Sequence, residues 1–448
     1  MTETRSRDPA AFEPANSPIP SPPPEVKHKH RLKLGDILGP GLITGASDDD
    51  PSGIATYSQA GAQFGYDLGW TLFLSWPLMC AIQEICGRIG RVTGRGIAGN
   101  LRRHYPRWLV WTIILLLATA NTINLGADMG AMGAALGLVI GGPALVYTAV
   151  FGVVSVVLEV FVRYARYVPI LKWLTLSLFA YVGVVLVVGV PWGDVLRHLV
   201  IPKISLAPGY LTVIVAVLGT TISPYLFFWQ AEEEVEDMKE QEGSRPLKKA
   251  PDQAPVELRR IRWDTWIGMG LSNTVALSIV VTTAATLHAH GVTDIQTSSQ
   301  AALALKPIAG RYVFAVFALG IIGTGLLALP VLAGSAAYAL GEVMAWRVGL
   351  ARKWNRAPWF YSAIVAAMFI GGTINFIHID PMKALFWSAV INGVTAVPLM
   401  VLIMHLGQRR EAMGDFTLPP VLRAVGWVAT AAMAAAAVGM FLTFNSNG

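Results

Sequence analysis

Cysteine is nearly absent from this sequence of 448 residues. Its two cysteines, Cys80 and Cys86, lie six positions apart in one apolar segment. They form neither a disulfide framework nor a zinc site, so we interpret them as packing residues. Charged residues are also scarce, at 14%, whereas 54% of residues are hydrophobic. This balance excludes a soluble globular protein and is typical of a polytopic membrane protein.

The apolar segments number eleven. They cover about 36–66, 68–90, 108–137, 144–161, 168–191, 208–238, 264–287, 311–345, 358–378, 382–406 and 421–444. Basic residues concentrate in alternate loops, within 88–107, 163–166, 239–262, 347–356 and 409–423. The positive-inside rule then places the N-terminus in the cytoplasm and the C-terminus outside an inner, or plasma, membrane. The net charge of +6 reflects this bias rather than a nucleic-acid surface.

We divide the chain into three regions. Residues 1–35 are a Pro-rich tail, predicted to be disordered and cytoplasmic, with a basic patch at 27–33 that suits lipid headgroups better than metal. Residues 36–406 are predicted to form the membrane-embedded core, with repeats at about 36–192 and 208–406. Residues 407–448 hold a loop and the eleventh span. The lipid bilayer is an expected partner, and the sequence is consistent with a monomer.

The first apolar segment is interrupted by Asp48-Asp49-Asp50-Pro51. An aspartate at the membrane centre costs roughly 2.5 to 3.5 kcal/mol, and Pro51 disfavours helix at the residue before it. We predict half-helices at about 36–48 and 54–66, joined by unwound backbone around Asp50 that forms a cation site. The alternative is an exposed loop between two short helices, although each half is too short to span a bilayer.

The sixth segment carries a second interruption, Leu218-Gly-Thr-Thr-Ile-Ser-Pro224. Pro224 removes a helical hydrogen bond, and a simple proline kink is the alternative to a discontinuous helix. Because the interruptions fall in the first and sixth spans, each half contains five spans and the halves have opposite orientations. This arrangement predicts an all-α, 5+5 inverted-repeat transporter with its substrate near mid-membrane.

These motifs resemble those of the NRAMP family of divalent metal transporters, which have a LeuT-like fold. Asp50-Pro51-Ser52-Gly53 stands where the family has Asp-Pro-Gly-Asn, and residues 62–66 and 83–94 continue the similarity. Residues 219–230 take the place of the family's sixth-helix Met-Pro-His motif. The resemblance extends from residue 33 to about 406 and implies a transported divalent cation as ligand, with no other cofactor.

The resemblance also implies a ligand set. Asp50 matches the family's aspartate, Gly53 the asparagine position, Ser223 the methionine, and Thr220 the residue that offers its carbonyl. With the thioether replaced by oxygen, the site favours Mg²⁺ or Mn²⁺ over softer metals. In this respect the chain is similar to the NRAMP-related magnesium transporters.

Two more residues, Asp49 and Asn392, enter the site as candidates. Asp49 is either a ligand that holds a hydrated ion or a partner of the local backbone. At about 100° per helical residue Asp48 and Asp49 point apart, so we expect at most one of them to join Asp50. Asn392 lies one turn beyond Ala389, the position of the family's tenth-helix glutamine, and could replace it.

The residues that the family uses to couple metal transport to protons are replaced in this sequence. Its sixth-helix histidine corresponds to Tyr225, and its third-helix acids correspond to Asn124 and Ala127, with Asp128 one residue away. The eight histidines lie in tails, loops or segment ends: His28, His30, His104, His198, His288, His290, His378 and His405. We therefore expect transport without the usual proton coupling.

We expect a secondary transporter or uniporter that moves a divalent cation by alternating access, not an enzyme. The alternatives are a LeuT-like transporter of an amine or amino acid, or a non-transporting sensor. Intramembrane proteolysis would need two facing acids, and outside 48–50 the nearby intramembrane acids are Glu84, Asp128 and Glu159. The acidic run 232–237 is interpreted as a solvated helix face, with a cation-attracting funnel as the alternative.

Overall fold

The structure, a computed structural model, describes residues 40–162, 176–205, 208–377 and 380–445. The predicted tail 1–35, the start of the predicted segment 168–191 and His378 lie outside these residues. In the first half of the chain the α-helices are α1 (Pro40–Asp48), α2 (Pro51–Phe64), α3 (Gly69–Thr93), α4 (Ile97–His104), α5 (Arg107–Ile140), α6 (Ala144–Phe161), α7 (Phe179–Val187) and α8 (Trp192–Val200).

In the second half they are α9 (Pro208–Thr221), α10 (Pro224–Glu240), α11 (Ala254–Thr286), α12 (Ser298–Leu303), α13 (Lys306–Ala309), α14 (Val313–Met344), α15 (Pro358–Thr373), α16 (Pro381–Gln408), α17 (Arg410–Met413) and α18 (Pro420–Asn445). Short 3-10 turns connect several of them. The described residues contain no strand, so the all-α prediction is confirmed.

Eight helices of the described chain are long and apolar enough to cross a membrane. The segment Leu176–Val187 and α8 would add a ninth if counted together, although they are bent by 117°. The interrupted first helix and the charged α3 are not among these, so eleven spans stay a prediction. Helix α11 begins ten residues before the predicted 264, because the basic residues 259–262 belong to its first turns rather than to a loop.

Both predicted interruptions are present. Helix α1 ends at Asp48 and α2 begins at Pro51, earlier than the predicted 54. Proline fits the first helical position because its fixed φ is helical and its missing N–H would have no partner there. The second interruption separates α9, which ends at Thr221, from α10, which begins at Pro224. This second break is short, because only Ile222 and Ser223 separate the two helices, which together form one apolar span, Gly209–Glu240.

Helix α8 is amphipathic and lies at a sharp angle to the preceding helical segment. Trp192, Leu196 and Val200, spaced four apart, are exposed on one side, whereas Val195 is buried against the protein. At the same end, Asp67 in the turn between α2 and α3 contacts His198 at 3.2 Å and Lys203 at 2.7 Å. The hydrogen bond from Lys203 to Asp67 raises the pKa of that lysine.

Glycines allow the helices around the breaks to approach closely. A Cβ added to Gly45 on α1 would overlap the backbone of Gly268 on α11, and one added to Gly90 on α3 would overlap the carbonyl of Ala231 on α10. Small residues at helix crossings are typical of membrane interiors, where packing rather than the hydrophobic effect holds helices together. These contacts fix α1 and α10 against the surrounding helices.

The contact between α3 and α10 can be tested with alanine. In Gly90→Ala the added methyl group must push α10 away, so we expect the thermal midpoint in detergent to fall by several degrees, because overpacking costs about 1–3 kcal/mol. Gly193→Ala is the control, since nothing lies within 4 Å of its added Cβ. Equal midpoints for the two variants would contradict this packing.

Candidate functional site

The carboxylate of Asp50 lies at the centre of the first break. Asp50 has extended backbone and is the N-cap of α2. Its Oδ1 accepts hydrogen bonds from the backbone N–H of Gly53 at 2.7 Å and from the hydroxyl of Ser52 at 2.6 Å. These bonds satisfy the start of the helix, a common role of aspartate at this position. They also orient the buried side chain across the break.

The other oxygen of Asp50 reaches two further helices. Its Oδ2 accepts from the amide of Asn124 on α5 at 3.1 Å and from the hydroxyl of Tyr225 on α10 at 3.3 Å. Asn124 is itself held by Ser388 on α16, whose hydroxyl donates to the Asn124 Oδ1 at 2.6 Å. Tyr225 also contacts the carbonyl of Ser47 at 3.1 Å. One carboxylate thus connects α2, α5 and α10.

These bonds use all of the acceptor capacity of Asp50. A carboxylate offers about four lone-pair positions, and Ser52, Gly53, Asn124 and Tyr225 supply four donors. Burying a charged group without such partners would be costly. Both oxygens of Asp50 are therefore occupied by protein donors in this structure.

The second break presents oxygen atoms from Thr220 and Ser223. The Ser223 hydroxyl lies 2.6 Å from the carbonyl of Thr220 and 2.9 Å from that of Gly219. It thus partly satisfies carbonyls that lose their helical partners at the end of α9. The Thr220 hydroxyl lies 3.0 Å from the hydroxyl of Tyr57 on α2, which joins the two broken helices.

Asp48 and Asp49 converge instead of pointing apart. The hydroxyl of Ser272 on α11 lies 2.6 Å from Asp48 Oδ2 and 3.1 Å from Asp49 Oδ1. The predicted angular separation is wrong because α1 ends at Asp48, so helical geometry does not apply to Asp49. Both side chains are buried. This arrangement makes Asp49 a partner of Ser272 in the present conformation.

Of the remaining candidates, Gly53 bonds to Asp50, whereas the side chain of Asn392 makes no hydrogen bond among the described residues. Gly53 contributes its N–H to Asp50, and an added Cβ would lie 3.2 Å from the ring of Tyr57. Asn392 is buried on α16, and neither its amide nitrogen nor its oxygen has a hydrogen-bond partner among the described residues. Its neighbour Gly393 packs against α9, where a Cβ on Gly219 would lie 2.5 Å from the Gly393 nitrogen.

Asp128 is the remaining acid near the centre. It is fully buried on α5, and neither of its carboxyl oxygens has a partner in the part of the chain that the structure describes. Its charge would repel that of Asp50. In the same part of the chain, no group of three or more His, Cys, Asp and Glu side chains is placed to hold a metal ion. A cation bound at Asp50 would therefore need further ligands of other kinds, such as backbone carbonyls and hydroxyls.

The interpretation of the acidic run 232–237 as a solvated helix face is wrong for Glu232 and Glu234. Glu232 and Glu234 are 2% and 0% exposed. Glu234 accepts from Arg260 on α11 at 2.5 Å, and Glu232 interacts with Glu342 on α14. The Glu342 carboxylate accepts from the backbone N–H groups of Gly96 and Gly99 at the start of α4. Glu232 and Glu234 are buried because α10 packs against these helices, whereas Glu233, Glu236 and Asp237 are half-buried.

Sequence reasoning missed the partners that orient the acids. Asn124 and Tyr225 were identified as replacements of family residues but not as donors to Asp50. Ser272 and Ser388 were not identified at all. Each is one of many hydroxyl residues in an apolar helix, and no spacing distinguishes it. Their roles follow from helix crossings, which a single sequence does not specify.

Comparison with known sequences gives a family match along most of the chain. The sequence model of the Nramp family, described as natural resistance-associated macrophage protein-like, matches residues 41–443. Two proteins named divalent metal cation transporter MntH, from two strains of Klebsiella pneumoniae, are each 27% identical over 409 residues. The matched region covers 90% of this chain and 92% of theirs.

Comparison with solved structures gives the same fold. The Eremococcus coleocola manganese transporter, in complex with an aromatic bis-isothiourea compound, has a TM-score of 0.76 at 17% identity and covers 94% of this chain and 89% of its own. Mhp1, a nucleobase-cation-symport-1 family transporter, has a TM-score of 0.53 at 13% identity, with 92% and 93% covered. The predicted LeuT-like fold is thereby confirmed.

Proposed function

Since this chain belongs to the Nramp family of divalent metal transporters, we propose that it moves a hard cation, Mg²⁺ or Mn²⁺, by alternating access. The set of donors at the two breaks carries this proposal. Asp50 offers a carboxylate, Thr220 a carbonyl and Ser223 a hydroxyl, and neither 48–53 nor 220–225 contains sulfur. Oxygen ligands suit Mg²⁺, Ca²⁺ and Mn²⁺, whereas thioether selects softer metals.

The cation would enter the site by replacing Tyr225 at Asp50. The Tyr225 bond is the longest of the four, at 3.3 Å, and its one hydrogen is shared with the carbonyl of Ser47. Because Asp50 caps α2 and Tyr225 lies on α10, this exchange would remove the direct bond between these two half-helices. Binding would thereby favour a different conformation, as alternating access requires.

Transport would proceed without the usual proton coupling. Tyr225 takes the place of a histidine, and it donates to Asp50 instead of receiving a proton from it. Asn124 takes the place of an acid, and its amide does not titrate. We further propose that the chain lies in an inner, or plasma, membrane with its N-terminus in the cytoplasm and its C-terminus outside.

Titration calorimetry with Mg²⁺, Mn²⁺ and Cd²⁺ tests the ligand assignment, with uptake into liposomes that contain a pH dye. We expect binding and uptake of the hard ions without internal acidification. Asp50→Asn should weaken binding at least 100-fold because the charged ligand is lost, whereas Asp252→Asn, at an exposed position, should bind normally. Acidification during uptake would contradict uncoupled transport. Absence of binding by any metal would favour an organic solute or a non-transporting relative.

Two asparagines on α5 form a matched pair. Asn124 donates to Asp50, whereas Asn121 donates to the Leu332 carbonyl and to Ser335. We expect Asn124→Ala to weaken Mn²⁺ binding about tenfold or more, because residues that orient a ligand typically contribute 10- to 100-fold in affinity. Asn121→Ala removes a similar buried amide and should leave the affinity unchanged. Equal losses in both variants would show that the effect is structural.

Ser223→Met tests the selectivity. A thioether at this position should raise the affinity for Cd²⁺ relative to Mg²⁺ by about tenfold, because sulfur prefers softer metals. Competition between the two ions in the calorimeter measures the ratio. Thr221→Met is the control, since this neighbouring hydroxyl bonds within α9. An unchanged ratio would place Ser223 outside the coordination shell.

A further inference from the structure

A polar cavity of about 370 Å³ lies between the end of α6 and the segment that joins α14 to α15. Glu159, Arg352, Lys353 and Tyr361 are among its lining residues. Glu159 is 3% exposed, and neither of its carboxyl oxygens has a hydrogen-bond partner in the described part of the chain. The Tyr361 hydroxyl donates to the carbonyl of Arg352 at 2.8 Å.

The lining of this cavity combines opposite charges. An isolated carboxylate is costly at membrane depth unless a cationic or hydrogen-bonding partner reaches it. Arg352 and Lys353 are exposed beside it and suit a phosphate group. The cavity therefore fits a ligand that carries an ammonium group at one end and a phosphate a few bonds away.

An apolar groove of about 390 Å³ continues along the same two helices. Val157 and Val365 are among its lining residues. Val157 is two residues before Glu159 on α6, and Val365 is one turn beyond Tyr361 on α15. The groove thus leads away from the polar cavity along the α6–α15 pair, where an acyl chain attached to the ligand would lie.

Tryptophans indicate the depth of the polar cavity. Trp354 lines the cavity and is 53% exposed, and Trp359, at the start of α15, is 65% exposed. The ring of Trp346 stacks on Trp359 with centroids 6.0 Å apart. Exposed tryptophan beside basic residues is typical of the level of lipid headgroups. The polar cavity then lies at that level and the groove lies in the hydrocarbon region.

We propose that the cavity and groove form a binding site for a phospholipid with a primary amine, of the phosphatidylethanolamine class. The ammonium group binds Glu159, the phosphate binds Arg352 and Lys353, and one acyl chain occupies the groove. A primary ammonium provides three N–H donors, whereas the quaternary ammonium of phosphatidylcholine provides none. This site is independent of the proposed cation transport.

Native mass spectrometry of the full-length protein in detergent tests the proposal. The lipids are phosphatidylethanolamine, its N-methyl and N,N-dimethyl forms, phosphatidylcholine and phosphatidylglycerol, all with the same acyl chains. We expect retention to fall with each methyl group, by at least tenfold from phosphatidylethanolamine to phosphatidylcholine. This series needs no variant, so it does not depend on how any substitution folds.

Variants test which residues bind the ammonium group of the lipid and which bind its phosphate. Glu159→Gln should bring phosphatidylethanolamine down to the level of phosphatidylcholine, whereas the double variant Arg352→Gln/Lys353→Gln should weaken both about equally. Arg356→Gln, in the same segment but outside the lining, should bind as the unchanged protein does. Equal retention of all the lipids would overturn the proposal. So would a preference for phosphatidylglycerol, or an ethanolamine preference that survives Glu159→Gln.

Discussion

The arrangement of the core depends on satisfying one buried carboxylate. At membrane depth, unwound backbone and charge are tolerated only where the protein supplies partners. Asp50 meets both demands, because it caps α2 through Gly53 and receives donors from α5 and α10. In the proposed transport cycle, a cation would have to replace one of the four hydrogen bonds to Asp50. The contacts that stabilise the break would then also control access to Asp50.

Local chemistry explains which parts of the fold and of the candidate site could be predicted from the sequence. Proline and consecutive aspartates specify where a helix stops, so both breaks and the fold class followed from the sequence. The direction of Asp49 did not, because it depends on where α1 ends. The burial of Glu232 and Glu234 was missed for a related reason: their partners Glu342 and Arg260 lie on other helices, far along the chain. Such contacts depend on which helices cross, and the hydrophobic periodicity of a single helix does not predict its crossing partners.

Much of the polar chemistry serves to hold helices in place. Ser388 holds Asn124, and Glu342 joins the start of α4 to the end of α14. Such bonds contribute little each, yet in a membrane they replace a hydrophobic driving force that is absent between helices. The close approaches of glycine at Gly45 and Gly90 have the same effect through shape. Substitutions far from Asp50 therefore change the site by moving whole helices.

The amphipathic helix α8 has a consequence for how the protein sits in lipid. Its exposed apolar side suits the interface, where such helices lie parallel to the membrane plane. Through Asp67, bonded to His198 and Lys203, this end is connected to the turn between α2 and α3. A helix α8 that lies at the interface would therefore help to set the depth of α2, and with it the depth of Asp50, in the bilayer. In a bilayer of different thickness, the resulting hydrophobic mismatch would be transmitted along α2 to the break.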